Sequence, residues 1–236
     1  MALNIQTFKT RALTALLFVI VMLTGLLWNF WSFAILFIVI HFGCWYEFVK
    51  LMKKIYADKY LPYCLLGLIY ITMPILMMID LRTFSKQYSI GYEDKLILDA
   101  AIPLCIIFSI WVNDTMAYLV GSFIGKTPLT KISPKKTWEG TIGGIVLCVL
   151  IIGFLFPLIM GKDLKTSYAP LNTWFIIPAV CGVFGTLGDL LESKIKRMAD
   201  VKDSGSFMPG HGGFLDRFDS LLVAAPFVWL YIQLFV

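Results

Sequence analysis

Six of the chain's fifteen acidic residues fall between Gly188 and Ser220: Asp189, Glu192, Asp200, Asp203, Asp216 and Asp219. Interleaved with them are Lys194, Lys196, Arg197, Lys202 and Arg217. Carboxylate oxygens bind hard divalent cations, and such a cation binds phosphates in turn. Lys and Arg neutralise further phosphate oxygens through charge-assisted hydrogen bonds. The turn Pro209-Gly210-His211-Gly212-Gly213 carries little side-chain bulk, so its backbone N–H groups can approach a phosphate closely. Mixed acids and bases around glycines are what a nucleoside triphosphate site requires. Asp216 and Asp219 stand three apart and share one face if helical. Asp189 sits at the end of an apolar run, where a charge is costly unless paired, solvated or metal-bound.

A second polar segment runs from Asn113 to Gly144 and holds Asp114, Ser133, Lys135, Lys136 and Glu139. Asp114, inside apolar sequence, reads equally as a functional group and as a hydrogen-bonding residue that joins helices. Lys135, Lys136 and Glu139 suit contact with a nucleotide or a lipid head group. Their plainer reading is an interfacial loop reaching anionic lipid. The stretch Gly121 to Thr127, GSFIGKT, is one residue short of a phosphate-binding P-loop and follows an apolar helix rather than a strand. Gly121 and Gly125 read instead as a face for close helix packing. A charged loop between membrane helices is ordinarily just a solvated, positive-inside loop. That accounts for the lysines, but less well for an acid at a membrane boundary. His211 taken alone is more often a structural or surface histidine than a catalyst.

The elements that must position these groups are apolar helices. Of 236 residues, 59% are hydrophobic and 15% charged, with a mean hydropathy of +0.82. Soluble domains carry about 25% charged residues. Seven runs approach the roughly 20 apolar residues a membrane span needs: Ala12 to Trp28, Phe30 to Val49, Leu61 to Ile79, Leu96 to Val112, Thr141 to Met160, Asn172 to Leu191 and Leu221 to Val236. Apolar character continues past Val112 to Gly125, which predicts an extra short or broken helix. The first run follows Lys9 and Arg11 without a small-residue cleavage site, and reads as a retained anchor. The predicted fold is therefore all-α, a polytopic membrane bundle of about seven transmembrane helices (seven to nine). It is one membrane domain, with N-terminal helices in residues 1–112 and the motif-bearing region in 113–236. The five cysteines lie in apolar runs with no CxxC pair and read as small hydrophobes. With the N-terminus inside, fifteen of the twenty Lys and Arg residues fall on the inner side, leaving Arg82, Lys86, Lys95, Lys162 and Lys165 outside.

From Ser193 to Asp219 the chain closely resembles the signature of the phosphatidate cytidylyltransferases, the CDP-diacylglycerol synthases. The matching residues are Ser193, Lys196-Arg197, Lys202-Asp203, Gly205, Pro209, His211-Gly212-Gly213, Asp216-Arg217 and Asp219. Met208 stands where the family pattern usually has Leu, Ile or Phe, and keeps the bulk. The Asn113 to Gly144 segment also looks like this family, while the N-terminal half matches only as generic membrane helices. The chain is shorter than the bacterial enzymes lead one to expect, by one or two N-terminal helices.

The resemblance implies transfer of CMP from CTP to phosphatidate, with magnesium as the divalent metal. It implies that Asp189, Asp216 and Asp219 are metal ligands. Lys196, Arg197, Lys202 and Arg217 become candidates for phosphate contacts, and His211 with Gly212 and Gly213 shapes the triphosphate pocket. Asp203 is expected to order that pocket or assist the metal. Asp114, Ser133, Lys135, Lys136 and Glu139 join the substrate-binding set. The expected partners are CTP, phosphatidate and membrane lipid, not nucleic acid, and a homodimer is suggested. The expected location is the cell's inner (plasma) membrane with the site facing the cytoplasm. Two other functions fit less well: a CTP-dependent kinase of a lipid alcohol such as a polyprenol, and an ion-coupled transporter with Asp114 and Asp189 as intramembrane ion ligands. The charge distribution generates a topology test on a cysteine-free background. Cysteines placed at 135 and 211 should label from the cytoplasmic side and one at 162 from the other; labelling of 135 and 211 only from outside contradicts the orientation.

Overall fold

The computed structural model describes residues 5–88, 100–160, 170–207 and 212–236. Among them the regular elements are helices, with no strand and an isolated β-bridge between Pro128 and Thr137. Helix α1 spans Ile5–Leu27 and α2 spans Phe30–Tyr56. Asn29 separates them as a cap: its side chain accepts the Ser32 N–H at 2.8 Å and its own N–H donates to Ser32 Oγ at 3.0 Å. This reciprocal capping lets two apolar helices meet with little intervening chain. After a 3₁₀ turn at Ala57–Lys59 come the short α3, Leu61–Cys64, a π-helical turn at Leu68–Thr72, and α4, Met73–Tyr88. Then follow α5, Ala101–Ile124, α6, Trp138–Ile159, α7, Thr173–Met198, and α8, Leu215–Phe235.

Among the described residues six spans are long and apolar enough to cross a membrane, and Ala12–Leu27 is a shorter apolar helix. The chain is thus a polytopic helical membrane protein, and its seven apolar helices correspond to the seven runs in the sequence. One expectation is corrected. No break follows Val112, because α5 runs on unbroken to Ile124. The polar residues Asn113, Asp114 and Thr115 sit within it without ending it. The region beginning at Asn113 therefore starts inside a helix.

Two helix pairs dominate the packing, α5 with α6 and α7 with α8, and α6 joins them through α7. Both pairs approach at glycines. A Cβ on Gly140 of α6 would lie 2.8 Å from the Ala117 carbonyl oxygen and 2.9 Å from the Gly121 Cα of α5. A Cβ on Gly188 of α7 would strike the backbone at Asp219 and Ser220 of α8. Small residues at helix crossings are the means by which membrane helices gain packing contacts that lipid does not already supply. Here they also have a positional consequence. Gly188 precedes Asp189, so the closest approach of α7 and α8 brings Asp189 beside Asp219. The five cysteines are free and buried, as their apolar setting implied.

Candidate active site

The segment between α5 and α6 folds as a tight hairpin. Leu129 N–H donates to the Lys136 carbonyl at 2.7 Å and Trp138 N–H to that of Thr127 at 2.9 Å. Glu139 fastens its base, accepting the Lys126 N–H at 3.2 Å, the Thr127 N–H at 3.2 Å and the Thr127 hydroxyl at 2.8 Å. The amides at 126 and 127 are thus committed to a carboxylate, which agrees with rejecting a P-loop here. Thr137 caps α6 by accepting the Gly140 N–H at 3.1 Å. The hairpin leans on α7, where Lys136 Nζ forms an ion pair with Asp189. Asp189 Oδ1 also accepts from Ser193 Oγ at 3.2 Å.

Between the hairpin and the ends of α5, α7 and α8 lies a polar cavity of 730 Å³. Eight residues singled out in the sequence line it: Asp114, Ser133, Lys135, Lys136, Asp189, Asp216, Arg217 and Asp219. Asp219 is 8% exposed, and its Oδ1 accepts the Ser220 N–H at 2.6 Å. Asp114 and Arg217 are exposed there. A volume of this size suits a ligand of nucleotide dimensions. Its walls offer four carboxylates from three helices beside two lysines and an arginine, the charges needed to hold a metal–triphosphate.

Not every expected site residue opens freely on the cavity. Asp216 reaches the cavity wall, but its carboxylate is occupied. Lys196 Nζ donates to Oδ1 at 2.6 Å, while Oδ2 accepts the N–H groups of Ser204 at 2.9 Å and Gly213 at 2.8 Å. Lys196 also pairs with the fully buried Glu192, one helical turn away. Asp216 and Lys196 therefore fix the segment between α7 and α8. Gly212 adopts a φ of 85°, a left-handed conformation suited to glycine, and a Cβ there would lie 2.6 Å from Asp216 Oδ2. Arg197, Lys202 and Asp203 are exposed and do not line the cavity. Glu139 holds the hairpin instead of facing the cavity. His211 lies outside the described residues.

Three residues of this assembly were not singled out from the sequence as site residues: Ser204, Glu192 and Glu47. Ser204 and Glu192 lie within the acid-rich segment, but their types alone do not separate them from its solvated neighbours. Glu47 carried a usable signal. It is an ionisable residue inside an apolar run, and such residues are functional candidates by default.

The geometry can now be set beside known proteins. The model of the cytidylyltransferase family matches residues 89–235, more than half of the chain. The chain belongs to the cytidylyltransferase family. Among its relatives is the phosphatidate cytidylyltransferase of Bacillus subtilis (strain 168), 39% identical over 189 residues, which are 80% of this chain and 64% of that protein. That of Thermotoga maritima is 42% identical over 128 residues, 54% of this chain and 47% of the relative. The chloroplastic phosphatidate cytidylyltransferase 5 of Arabidopsis thaliana is 45% identical over 123 residues, 52% of this chain and 29% of the relative. The chain thus spans less than two thirds of the length of these relatives. Every residue placed in the cavity from the family's two polar segments falls within the matched range.

The hairpin makes Lys136 a test of whether the cavity binds nucleotide. Its pair with Asp189 is about 30% exposed on each side, and such pairs contribute at most about 1 kcal/mol to stability. Lys136→Ala should leave the melting temperature in detergent within a few degrees of wild type. A lost charge-assisted phosphate contact costs about 1.5–3 kcal/mol, so CTP affinity by calorimetry should fall at least about tenfold. Unchanged affinity contradicts the placement of the triphosphate.

Proposed function

We propose that the chain is a phosphatidate cytidylyltransferase, making CDP-diacylglycerol and pyrophosphate from CTP and phosphatidate. One observation carries this reading: in a member of the cytidylyltransferase family, a single cavity gathers Asp114, Asp189 and Asp219 beside Lys135, Lys136 and Arg217. A phosphate oxygen of phosphatidate bonds to the α-phosphorus of CTP, and the bond from that phosphorus to the bridging oxygen of pyrophosphate breaks. Negative charge builds on the phosphoryl oxygens and the departing pyrophosphate. Lys135, Lys136 and Arg217 are placed to hold those oxygens, and fixed cationic groups in a site of restricted water stabilise such charge strongly. Asp189 and Asp219 would hold the cation that accompanies the triphosphate. No covalent enzyme intermediate is needed.

The donor chemistry fits magnesium. The cavity's carboxylates are hard oxygen ligands, and magnesium is usually held by one or two carboxylates completed by substrate phosphates and water. Among the described residues no three metal-binding side chains are clustered as a ready-made cage. Asp189 and Asp219 would hold the ion, which would supply charge neutralisation of the phosphates. Asp216 supports them from behind.

The chain is proposed to lie in the cell's inner membrane with the cavity facing the cytoplasm. Lys54 Nζ lies 3.5 Å from the Asp200 carbonyl, and Lys136 pairs with Asp189. The lysine-rich end of α2, the hairpin and the C-terminal half of α7 thus share one end of the bundle. Clustered Lys and Arg mark the cytoplasmic side. CTP then enters from water and phosphatidate sideways from the leaflet. A homodimer is proposed on the family resemblance alone.

The test is product analysis with purified protein, phosphatidate, magnesium and labelled CTP. Label at the α-phosphate should appear in lipid of the mass of CDP-diacylglycerol. EDTA should abolish the product, and added magnesium should restore it. Lipid labelled from the γ-phosphate alone, or full turnover with divalent metal removed, contradicts the reading.

A further inference from the structure

Helix α2 carries a carboxylate in the middle of its apolar surface. Glu47 is 3% exposed, and its oxygens face the segment that joins α7 to α8. Oε1 accepts the Phe214 N–H at 3.0 Å, and Oε2 accepts the Leu215 N–H at 2.9 Å. The Ser204 hydroxyl lies 2.7 Å from Glu47 Oε2 and 2.9 Å from Asp216 Oδ2, so its one proton serves one carboxylate at a time. The three donors stand 157 to 168 residues away in sequence.

The surroundings are shaped to this contact. The first N–H groups of a helix have no partner within it and favour a negative charge; Glu47 supplies that charge to α8. Gly205 and Gly213 lie directly against the carboxylate, where a Cβ on either would overlap its atoms. One turn before Glu47, Gly43 seats the Phe214 ring, and a Cβ there would come within 2.5 Å of it. Helix α2 thus receives both the backbone and the ring of Phe214. Leu215, held by Glu47, lies four residues before Asp219, so the two occupy the same face one turn apart.

We propose that Glu47 is a positioning residue of the cytidylyl-transfer site. It holds the Ser204 and Phe214–Leu215 ends of the segment on α2, and thereby sets the register in which α8 presents Arg217 and Asp219 to the cavity. The N-terminal half, outside the matched range 89–235, then supplies part of the site's framework. This rests on the proposed cytidylyl transfer for its kinetic readout, and on the backbone amides for an independent one.

Glu47→Gln in the full chain is the test, because Gln keeps the size but turns an NH₂ group toward N–H donors. The variant should fold, with a lowered melting temperature. Hydrogen exchange at Phe214 and Leu215 should speed up at least about tenfold while the rest of α8 keeps its protection. The kcat for CDP-diacylglycerol should fall at least about tenfold, and the KM for CTP should rise at least about threefold as Arg217 shifts. A smaller folded fraction would lower kcat alone and leave KM unchanged. If Glu47→Gln does not fold, Ser204→Ala takes its place, removing one partner and leaving the two backbone donors. Its kcat should fall about threefold or more with melting retained. Unchanged exchange at 214–215 in Glu47→Gln, an unchanged KM for CTP, or unchanged turnover in folded Ser204→Ala overturns the proposal. If the wild type makes no CDP-diacylglycerol, the functional reading fails, and the exchange measurement still decides the role of Glu47.

Discussion

A carboxylate inside a helix bundle of this kind must be hydrogen-bonded, ion-paired or open to water. That requirement sorts the acids of this chain into two sets. Glu47 and Asp216 accept hydrogen bonds from Ser204, Lys196 and the backbone around Gly213 to Leu215, and the buried Glu192 is held by its ion pair with Lys196. Asp114, Asp189 and Asp219 open on the polar cavity, whose wall Asp216 also reaches, and Asp189 is paired there with Lys136 of the hairpin. The first set fixes the segment between α7 and α8, and the second is what that segment presents. Breaking a buried ionic network by removing one partner typically costs about 3–5 kcal/mol, so the framework is held stiffly where the chemistry needs precision.

Glycine packing and the carboxylate network act together. Gly188 lets α7 and α8 touch beside Asp189 and Asp219, while Gly140 lets α5 and α6 touch below the hairpin that carries Lys136. The cavity is therefore bounded by two tight helix pairs, with Asp114 and Asp189 entering it from within α5 and α7 and Asp219 from the first turns of α8. Each wall owes its position to backbone contact rather than to long flexible side chains.

Much of this was legible in the sequence. The apolar runs gave the helices, and the spacing of Asp216 and Asp219 placed both at the start of α8. The continuity of α5 is not legible, because the apolar run up to Val112 is already long enough for a span and its continuation to Gly125 predicts a separate piece, whereas the helix starts later, at Ala101, and runs on to Ile124. Residue type also could not separate working acids from structural ones. Asp216 and Asp219 look alike in sequence, yet one carboxylate is saturated by donors and the other borders the cavity. That difference depends on Lys196 and Ser204, which only folding brings together, and on Glu47, more than 150 residues away.

The division between the two sets is the central claim, and one paired measurement tests it: melting temperature and CDP-diacylglycerol turnover for Asp216→Ala and Asp219→Asn, purified side by side. Asp216→Ala removes the acceptor of a buried network and should lower the melting temperature markedly. Asp219→Asn keeps the shape and removes a charge that faces other carboxylates, so it should melt at or above the wild-type temperature while losing nearly all turnover. Near-normal turnover in folded Asp219→Asn, or wild-type melting in Asp216→Ala, would contradict the account.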